Sequence, residues 1–257
     1  MKPTRRTLLG VLAAPVLLVR GAASWAKDAS LARLVAAYPD HLARIDGTDL
    51  VWKDGTRMAT GAGLPARAFE TMLRDASLAD QLRQSYAAGR PAGVPPRDHS
   101  PGRLRHTPFF LKMYGDCRRG GAAGRHRAVV WMPRTRPQDL PVTTVNDVAT
   151  RLERVIEVLE GMPDRLKAYL VPSAGTFNCR VVADTGLPSM HAFAAAIDLN
   201  VAQSDYWAWA RNRGEIPYRN RIPYEIAEVF EAERFIWGGK WYHYDTMHFE
   251  YRPELIG

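Results

Sequence analysis

The sequence predicts an α+β protein with an N-terminal extension. Short runs of β-forming residues lie among separate helix-like segments, which favours α+β over a βαβ series. The chain is 46% hydrophobic and 24% charged, as ordinary globular proteins are. Its 257 residues are enough for one sizeable domain with a substantial extension.

Residues 1–26 predict an export signal peptide. A basic start that includes Arg5-Arg6 precedes the apolar run 7–19, which is too short for a transmembrane helix. Ser24 and Ala26 are small residues at the two positions that a signal peptidase reads, and the arginine pair followed by Thr-Leu-Leu resembles a twin-arginine signal. We therefore expect a periplasmic or extracellular protein without stable membrane insertion once the signal is removed. The alternatives are a general secretory signal or an uncleaved anchor, although Arg20 interrupts the apolar run.

Removal of the signal leaves a mildly basic protein. The signal carries four cations and no acid, so the net charge falls from +8 to +4. That charge suits an anionic partner such as a cell-wall polymer. The chain has no stripe of lysine and arginine interleaved with stacking aromatics, and we predict no nucleic-acid partner.

The next 70 or so residues contain three candidate elements. Apolar residues on one face predict a helix over 27–45, and a second helix is predicted over 67–86. Between them, Asp54-Gly55 predicts the turn of a hairpin over Leu50–Met58. The proline-rich residues 90–101 then predict an extended connector.

We take this connector as a domain boundary. It divides an N-terminal extension, residues 27–100, from a catalytic part, residues 101–257. A loop within a single domain is the alternative. Within the catalytic part, the apolar segment 109–114 is expected to pack. Strands are predicted at 128–132 and 169–171, and helices are predicted to begin near Thr144 and near Pro223.

The two cysteines, Cys117 and Cys179, leave two possibilities open. An exported protein with an even number of cysteines can form a disulfide, which would also fix the neighbouring Arg180. Two buried free thiols are the alternative.

The aromatic stretch 237–251 carries the most suggestive polar groups. His243, Asp245 and His248 lie there among bulky rings. Such groups are costly to bury unless a partner, for example a metal ion, satisfies them. His243 and Asp245 alternate on one face of an extended segment, whereas His248 has the opposite parity, so we expect a bend before it.

Residues 189–200 can supply further metal ligands. A helix from His191 to Asp198 would rise about 10.5 Å, which is too far for both to reach one ion. A turn after His191 followed by a strand instead places Ala196 and Asp198 on one face. His191, Asp198 and one histidine from 243–248 would then form a His-Asp-His set. Such a set leaves the fourth tetrahedral position of zinc open for water, which is the arrangement of catalytic zinc sites.

These two stretches resemble a known family. Ser-x-His-x-x-x-x-Ala-x-Asp at 189–198 and Trp-x-His-x-Asp-x-x-His at 241–248 are similar to the motifs of the M15 zinc D-alanyl-D-alanine carboxypeptidases and related peptidoglycan peptidases. The resemblance covers about residues 100–257 and, more weakly, Leu50–Met58. It implies a hedgehog/D,D-peptidase-like zinc fold with a small antiparallel sheet and flanking helices. Further motifs in the same order lie at 101–103, 109–115, 173–180 and 206–207.

The resemblance also implies roles for individual residues. His191, Asp198 and His248 are expected to bind one Zn²⁺ per chain. Asp245 is similar to the general base that takes a proton from water and later gives it to the leaving amine. His243 is similar to the histidine that helps hold the tetrahedral intermediate.

Arg180 completes the predicted site, and Glu250 is left outside it. Arg180 is similar to the arginine that binds a substrate carboxylate or the polarised carbonyl, for which a guanidinium is well suited. Glu250 is expected to form an ion pair, for example with Arg252, rather than to bind metal.

Two positions depart from the family pattern. Ala194 and Arg234 stand where the family usually has glycine, in a turn and at a helix end respectively. Where φ is positive, a side chain there costs about 1 kcal/mol or more.

The sequence therefore predicts an exported zinc peptidase that acts on peptidoglycan stem peptides, with a D-alanyl-D-alanine carboxypeptidase as the first choice. An endopeptidase that cuts L-Ala–D-Glu or a cross-link is one alternative. A non-catalytic, zinc-containing wall-binding or signalling module is another. Asp245 discriminates between them, because a pure binding module needs no proton shuttle beside an open zinc site.

Overall fold

A computed structural model describes residues 29–65, 67–212 and 214–256, and they form a mixed α+β structure with three small antiparallel sheets. The predicted α+β class is confirmed. The predicted signal peptide, residues 1–26, lies outside the described residues. No helix in the described ranges is long and apolar enough to cross a membrane.

The N-terminal segment combines a small sheet with three helices. Helix α1 covers residues 29–37, and strands β1, β2 and β3 pair antiparallel in that order. The hairpin predicted over Leu50–Met58 is confirmed by the β2–β3 pairing. The strands and helices that follow α1 are β1 (Leu42–Asp46), β2 (Asp49–Trp52), β3 (Arg57–Ala59), α2 (Phe69–Arg74) and α3 (Leu78–Gln81).

Both helix predictions in this segment were too long. The first helix ends at residue 37, and strand β1 occupies the remainder of the range 27–45. The range 67–86 contains two short helices instead of one. Ser77 is extended and forms a reciprocal capping box with Asp80, so a new helix begins there.

The middle of the chain contributes one hairpin and the longest helix. It comprises α4 (Thr107–Tyr114), β4 (His126–Trp131), β5 (Gln138–Thr143), α5 (Val148–Glu160) and α6 (Asp164–Lys167). Strands β4 and β5 pair along six residues each. The apolar stripe of α5 is buried from Val148 to Leu159.

Two predictions for this region need correction, and one strand was missed. Residues 169–171 are not a strand, because they continue the turns that follow α6, with Leu170 N donating to Lys167 O. The helix predicted to begin at Thr144 begins at Val148, since Asn146 and Asp147 have positive φ and break the helical path. Strand β5 was missed because Pro141 lies within it, and proline is tolerated on the edges of sheets.

The third sheet is the scaffold of the candidate site. Strand β8 lies between β6 and β7, antiparallel to both. The elements of this part are β6 (Ala196–Asp198), α7 (Trp207–Ala210), α8 (Tyr224–Ala232), β7 (Phe235–Trp237) and β8 (His248–Tyr251). The helix predicted from Pro223 is thus confirmed as α8, with Pro223 at its N-cap.

One hydrophobic cluster joins the N-terminal segment to this sheet. It includes Leu34 and Tyr38 from the N-terminal segment as well as Ile197 and Phe249 from β6 and β8. The boundary at the connector 90–101 stays a prediction, and the side chains on its two sides pack into one core.

Cys117 and Cys179 form a disulfide, with their Cα atoms 5.9 Å apart. The bond closes a sequence separation of 62 residues and ties the loop before Arg180 to the turn after α4. Of the two possibilities left open by the sequence, the structure has the disulfide.

We expect the double variant Cys117→Ser/Cys179→Ser to lose about 4 kcal/mol of free energy of unfolding, because a loop of this length is then unconstrained in the denatured chain. Urea denaturation of both proteins measures the difference. Wild-type protein treated with reductant serves as the control and should lose a similar amount. Unchanged stability in both would show that the cross-link does not constrain the unfolded chain.

Arg234 follows α8 with φ of 69°, so the strain expected there is present. We expect Arg234→Gly to raise the free energy of unfolding by about 1 kcal/mol, because the β-carbon disfavours this conformation. Arg234→Ala is the matched control, since it removes the exposed side chain but keeps the β-carbon. Equal stability of the two variants would contradict backbone strain at this position.

Candidate active site

The third sheet brings together three residues that the sequence places far apart. Asp198 at the end of β6 pairs in register with His248 at the start of β8. His191 comes from a short 3₁₀ turn, Met190–Phe193, that immediately precedes β6. Ala194 ends this turn with φ of 52°, so the turn predicted after His191 is present. The backbone of Ala194 is therefore strained, as expected for an alanine at a position where the family has glycine.

The three side chains point their donor atoms at one position. His191 Nε2 lies 3.1 Å from Asp198 Oδ1 and 3.2 Å from His248 Nδ1. His248 Nδ1 lies 2.9 Å from the same Asp198 oxygen. Among the described residues, this is the set of histidines, cysteines and acids whose ligand atoms cluster closely enough for a metal ion.

These distances fit a tetrahedral zinc ion. Ligand atoms at roughly 2.0–2.1 Å from zinc are separated by about 3.3 Å along each edge of a tetrahedron. The three edges of the His191, Asp198 and His248 triangle, 2.9–3.2 Å, are close to that value. Two imidazoles and one carboxylate are also the donor set of a catalytic rather than a structural zinc site.

Hydrogen bonds behind the triangle fix the orientation of both rings. His191 Nδ1 lies 2.8 Å from the carbonyl oxygen of Thr176, and His248 Nε2 lies 3.0 Å from Glu250 Oε2. Acceptors in these positions orient the rings of histidines that bind metal. Glu250 was predicted only as an ion-pair partner. It does bond Arg252, at 2.8 Å, but its other oxygen orients His248.

The chain of buried contacts continues into the N-terminal segment. Arg252 Nε donates to Glu254 Oε1 at 2.6 Å. The Tyr38 hydroxyl donates to Glu254 Oε2 at 2.6 Å, and Gln81 Nε2 donates to Glu254 Oε1 at 3.1 Å. Tyr38 and Gln81, both in the predicted N-terminal extension, are therefore linked to the ring of His248 through Glu254, Arg252 and Glu250.

Electrostatics keep Asp198 ionised in this cluster. Burial opposes ionisation, but His191 and His248 outweigh it and hold the pKa of Asp198 well below its usual range. Burial alone would lower the pKa of His248, yet its hydrogen bonds to Asp198 and Glu250 raise that pKa to about 10. Burial would raise the pKa of Glu250, but His248 and Arg252 outweigh this effect and lower that pKa to about 2.

Replacing Glu250 with glutamine tests this orienting role. The amide can accept a hydrogen bond but carries no charge, and loss of such a partner typically costs about 10–100-fold in metal affinity. We expect zinc affinity, measured by competition with a chromophoric chelator, to fall by that factor in Glu250→Gln. Glu157→Gln, on an exposed face of α5, is the control. Wild-type affinity in Glu250→Gln would contradict the role.

Asp245 lies in the turn that leads into β8. Its backbone N donates to Gly238 O at 3.0 Å, and a side chain at Gly238 would meet the carbonyl oxygen of Asp245 at 2.5 Å. The turn therefore requires glycine at 238. The bend expected before His248 is present, with His248 N donating to Asp245 O at 3.2 Å. Turns at 242–243 and 246–247 interrupt the extended segment that was predicted, and Asp245 between them forms a single β-bridge with Tyr206.

The carboxyl group of Asp245 is buried and has a raised pKa. Burial, reinforced by the neighbouring charge of Asp198, raises the pKa of Asp245 to about 6, although His248 and His191 oppose the rise. Its Oδ1 atom is buried, and no group of the described residues hydrogen-bonds it. A carboxylate whose pKa lies near the operating pH and whose oxygen has no partner can act as a base.

His243 is packed between aromatic rings. The ring of Phe69 stacks on it with centroids 5.8 Å apart, and Trp207 meets it edge-on at 5.0 Å. Burial, with a smaller effect from the charge of Arg103, lowers the pKa of His243 to about 4. The imidazole is therefore neutral near pH 7 and has one donor and one acceptor nitrogen.

A cavity of about 320 Å³ unites these residues. Asp198, His243, Asp245 and His248 line it together with three arginines, Arg103, Arg105 and Arg180. The structure thus places Arg180 at the cavity, where it is exposed and its Nη1 donates to the backbone oxygen of Val181 at 3.5 Å.

Arg103 and Arg105 carry charge into the same cavity, and neither was predicted as a site residue. Arg103 forms an ion pair with Asp184. Arg105 lies 3.8 Å from Glu250, and burial lowers its pKa to about 10. The motif at 101–103 contained a signal for Arg103, but nothing in the sequence indicated Arg105.

Part of the chain matches a protein-family model. Residues 183–251 match the family model described as D-alanyl-D-alanine carboxypeptidase, one of the M15 peptidases. This segment is similar to the M15 peptidases. The resemblance seen in the sequence is thereby confirmed over residues 183–251. The M15 segment contains the triangle, Asp245 and His243, and it begins three residues after Arg180. The comparisons with curated proteins and with solved structures found no match.

Proposed function

We propose that this protein is an exported zinc-dependent peptidase that hydrolyses peptide bonds in peptidoglycan stem peptides, and that it is a D-alanyl-D-alanine carboxypeptidase. The observation that carries the proposal is the convergence of the donor atoms of His191, Asp198 and His248 to within 2.9–3.2 Å of one another. Asp245, with its pKa raised to about 6, lies beside them in the same cavity.

His191 Nε2, Asp198 Oδ1 and His248 Nδ1 would hold the zinc ion. Zinc in such a site polarises the scissile carbonyl and lowers the pKa of water. Thr176 and Glu250 keep the two rings turned toward the site.

Asp245 would move the proton in the reaction. Its carboxylate takes one proton from the attacking water, whose oxygen bonds to the carbonyl carbon of the substrate. When the C–N bond breaks, Asp245 returns that proton to the leaving nitrogen, so that the products are a carboxylic acid and an amine. The neutral imidazole of His243 can donate a hydrogen bond to the developing oxyanion.

The arginines would bind the end of the substrate. Arg103, Arg105 and Arg180 line the cavity that contains Asp245. A guanidinium binds a terminal carboxylate with two parallel hydrogen bonds, and a carboxypeptidase must recognise such a terminus. This property favours a carboxypeptidase over the endopeptidase alternative.

The proposal also includes the type of fold and the export of the protein. The central strand β8, flanked by β6 and β7, supports the hedgehog/D,D-peptidase-like zinc fold expected from the resemblance. The Cys117–Cys179 disulfide supports export, because such bonds persist in oxidising compartments and are rare in the cytosol.

Incubation of the purified protein with defined muropeptides, followed by mass analysis, tests the activity. We expect release of one alanine from stem peptides that end in D-alanyl-D-alanine. Cleavage inside the stem or at a cross-link would replace the carboxypeptidase by an endopeptidase. Zinc binding without cleavage of any wall peptide would favour the non-catalytic module and overturn the proposal.

A further inference from the structure

A second cavity adjoins the catalytic cavity at His243. It has a volume of about 380 Å³, and both His243 and Thr185 line the two cavities. Each cavity alone has the size of a small-molecule site. Because they share these two residues, the cavities are adjacent, and a chain-like ligand that lies across Asp245 and extends past His243 would reach the second cavity.

The N-terminal segment builds one wall of this second cavity. Phe69, Glu70, Leu73 and Arg74 of α2 line it. Phe69 also stacks on the ring of His243 with an angle of only 1° between the planes. Helix α2 lies outside the matched M15 segment, so this wall is an addition to the part that contains the metal-binding triangle.

The lining suits a peptide better than an isolated anion. Phe69, Leu73 and Trp207 offer apolar surface, and the charged side chains balance in sign. The charged residues are Arg74, Arg97 and Arg211 on one side and Glu70, Asp98 and Asp184 on the other. The catalytic cavity differs, because it contains three arginines that can receive a terminal carboxylate.

This difference gives the substrate a direction. With the carboxylate end at Arg105 and Arg180, the remainder of the chain passes His243 and Arg103, whose ion-pair partner Asp184 lines the second cavity. We propose that the second cavity is a substrate subsite that binds the part of a stem peptide N-terminal to the cleaved bond. The inference rests on the proposed function for the direction of the peptide, and it assigns the N-terminal segment a part in substrate binding.

Calorimetric binding to the zinc-loaded, full-length Asp245→Asn protein tests the subsite without turnover. The two probes are a five-residue stem peptide that ends in D-alanyl-D-alanine and the dipeptide D-alanyl-D-alanine alone. We expect the pentapeptide to bind at least roughly tenfold more tightly, because only it reaches past His243.

Tryptophan substitutions on α2 then locate the effect. Glu70→Trp, added to this protein, fills the second cavity from an exposed position and should remove the preference for the pentapeptide. Thr71→Trp places the same ring at the neighbouring exposed position, which lines neither cavity, and should keep the preference.

Equal affinity for the two peptides, absence of peptide binding, or an equal effect of the two tryptophans would overturn the subsite. Failure of the proposed function has a different signature. If the wild-type protein cleaves no wall peptide but still binds the pentapeptide in a manner sensitive to Glu70→Trp, the subsite stands and the assignment as a peptidase falls.

Discussion

Asp245→Asn is expected to abolish hydrolysis while zinc stays bound. Asparagine has nearly the same shape as aspartate but cannot take up the proton from water, and general base catalysis typically contributes about 10²–10⁴-fold to the rate. The kcat for a stem peptide should fall by that factor. The zinc content should remain that of the wild type, since Asp245 is not part of the His191, Asp198 and His248 triangle.

The control is Asp139→Asn, the same change at an exposed position in β5. It should leave both kcat and zinc content unchanged. Normal turnover by Asp245→Asn would show that another group carries the proton. A loss of zinc together with activity would instead show that Asp245 belongs to the metal site.

His191→Ala is expected to lose the metal ion itself. The variant removes one of three donor atoms, and the loss of zinc affinity should exceed the roughly 10–100-fold cost of removing a hydrogen-bond partner of a ligand. Hydrolysis should disappear with the metal. Dialysed protein analysed by atomic emission should contain much less zinc than the wild type.

His41→Ala provides the matched control for a histidine outside the site, since it lies in the turn before β1. Its zinc content and activity should equal those of the wild type. Thermal unfolding with and without added zinc separates metal loss from misfolding, because zinc should raise the unfolding temperature of the control but not of folded His191→Ala. A zinc-loaded His191→Ala would contradict the ligand assignment.

The metal-binding triangle could be predicted because its constraints are local. The rise of a helix excludes a helical path between His191 and Asp198, and the two-residue period of a strand sets the face on which Asp198 lies. Motif resemblance then selected His248 from the two histidines in 243–248. The structure agrees, with β6 and β8 paired at Asp198 and His248.

The supporting residues could not be predicted in the same way. Glu250 follows His248 by two residues and lies on the same face, but whether it orients a ring or only pairs with Arg252 depends on packing. The links from Tyr38 and Gln81 to Glu254 span more than 170 residues, and no local pattern signals them. Stacking of Phe69 on His243 is equally long-range.

Secondary-structure predictions failed where the local sequence signals conflicted. Pro141 concealed strand β5, since proline removes a backbone donor but is tolerated in a two-stranded edge. The β-branched and aromatic residues at 169–171 suggested a strand, although the turns after α6 continue through them. In both cases tertiary context outweighed residue preference.

Metal analysis combined with activity tests the central claim most directly. The purified protein should contain about one zinc ion per chain. Removal of zinc with a chelator should stop hydrolysis of stem peptides, and added zinc should restore it while the fold stays intact by circular dichroism. A folded wild-type protein that contains no zinc, takes up none when it is supplied, and cleaves stem peptides equally well would contradict the account.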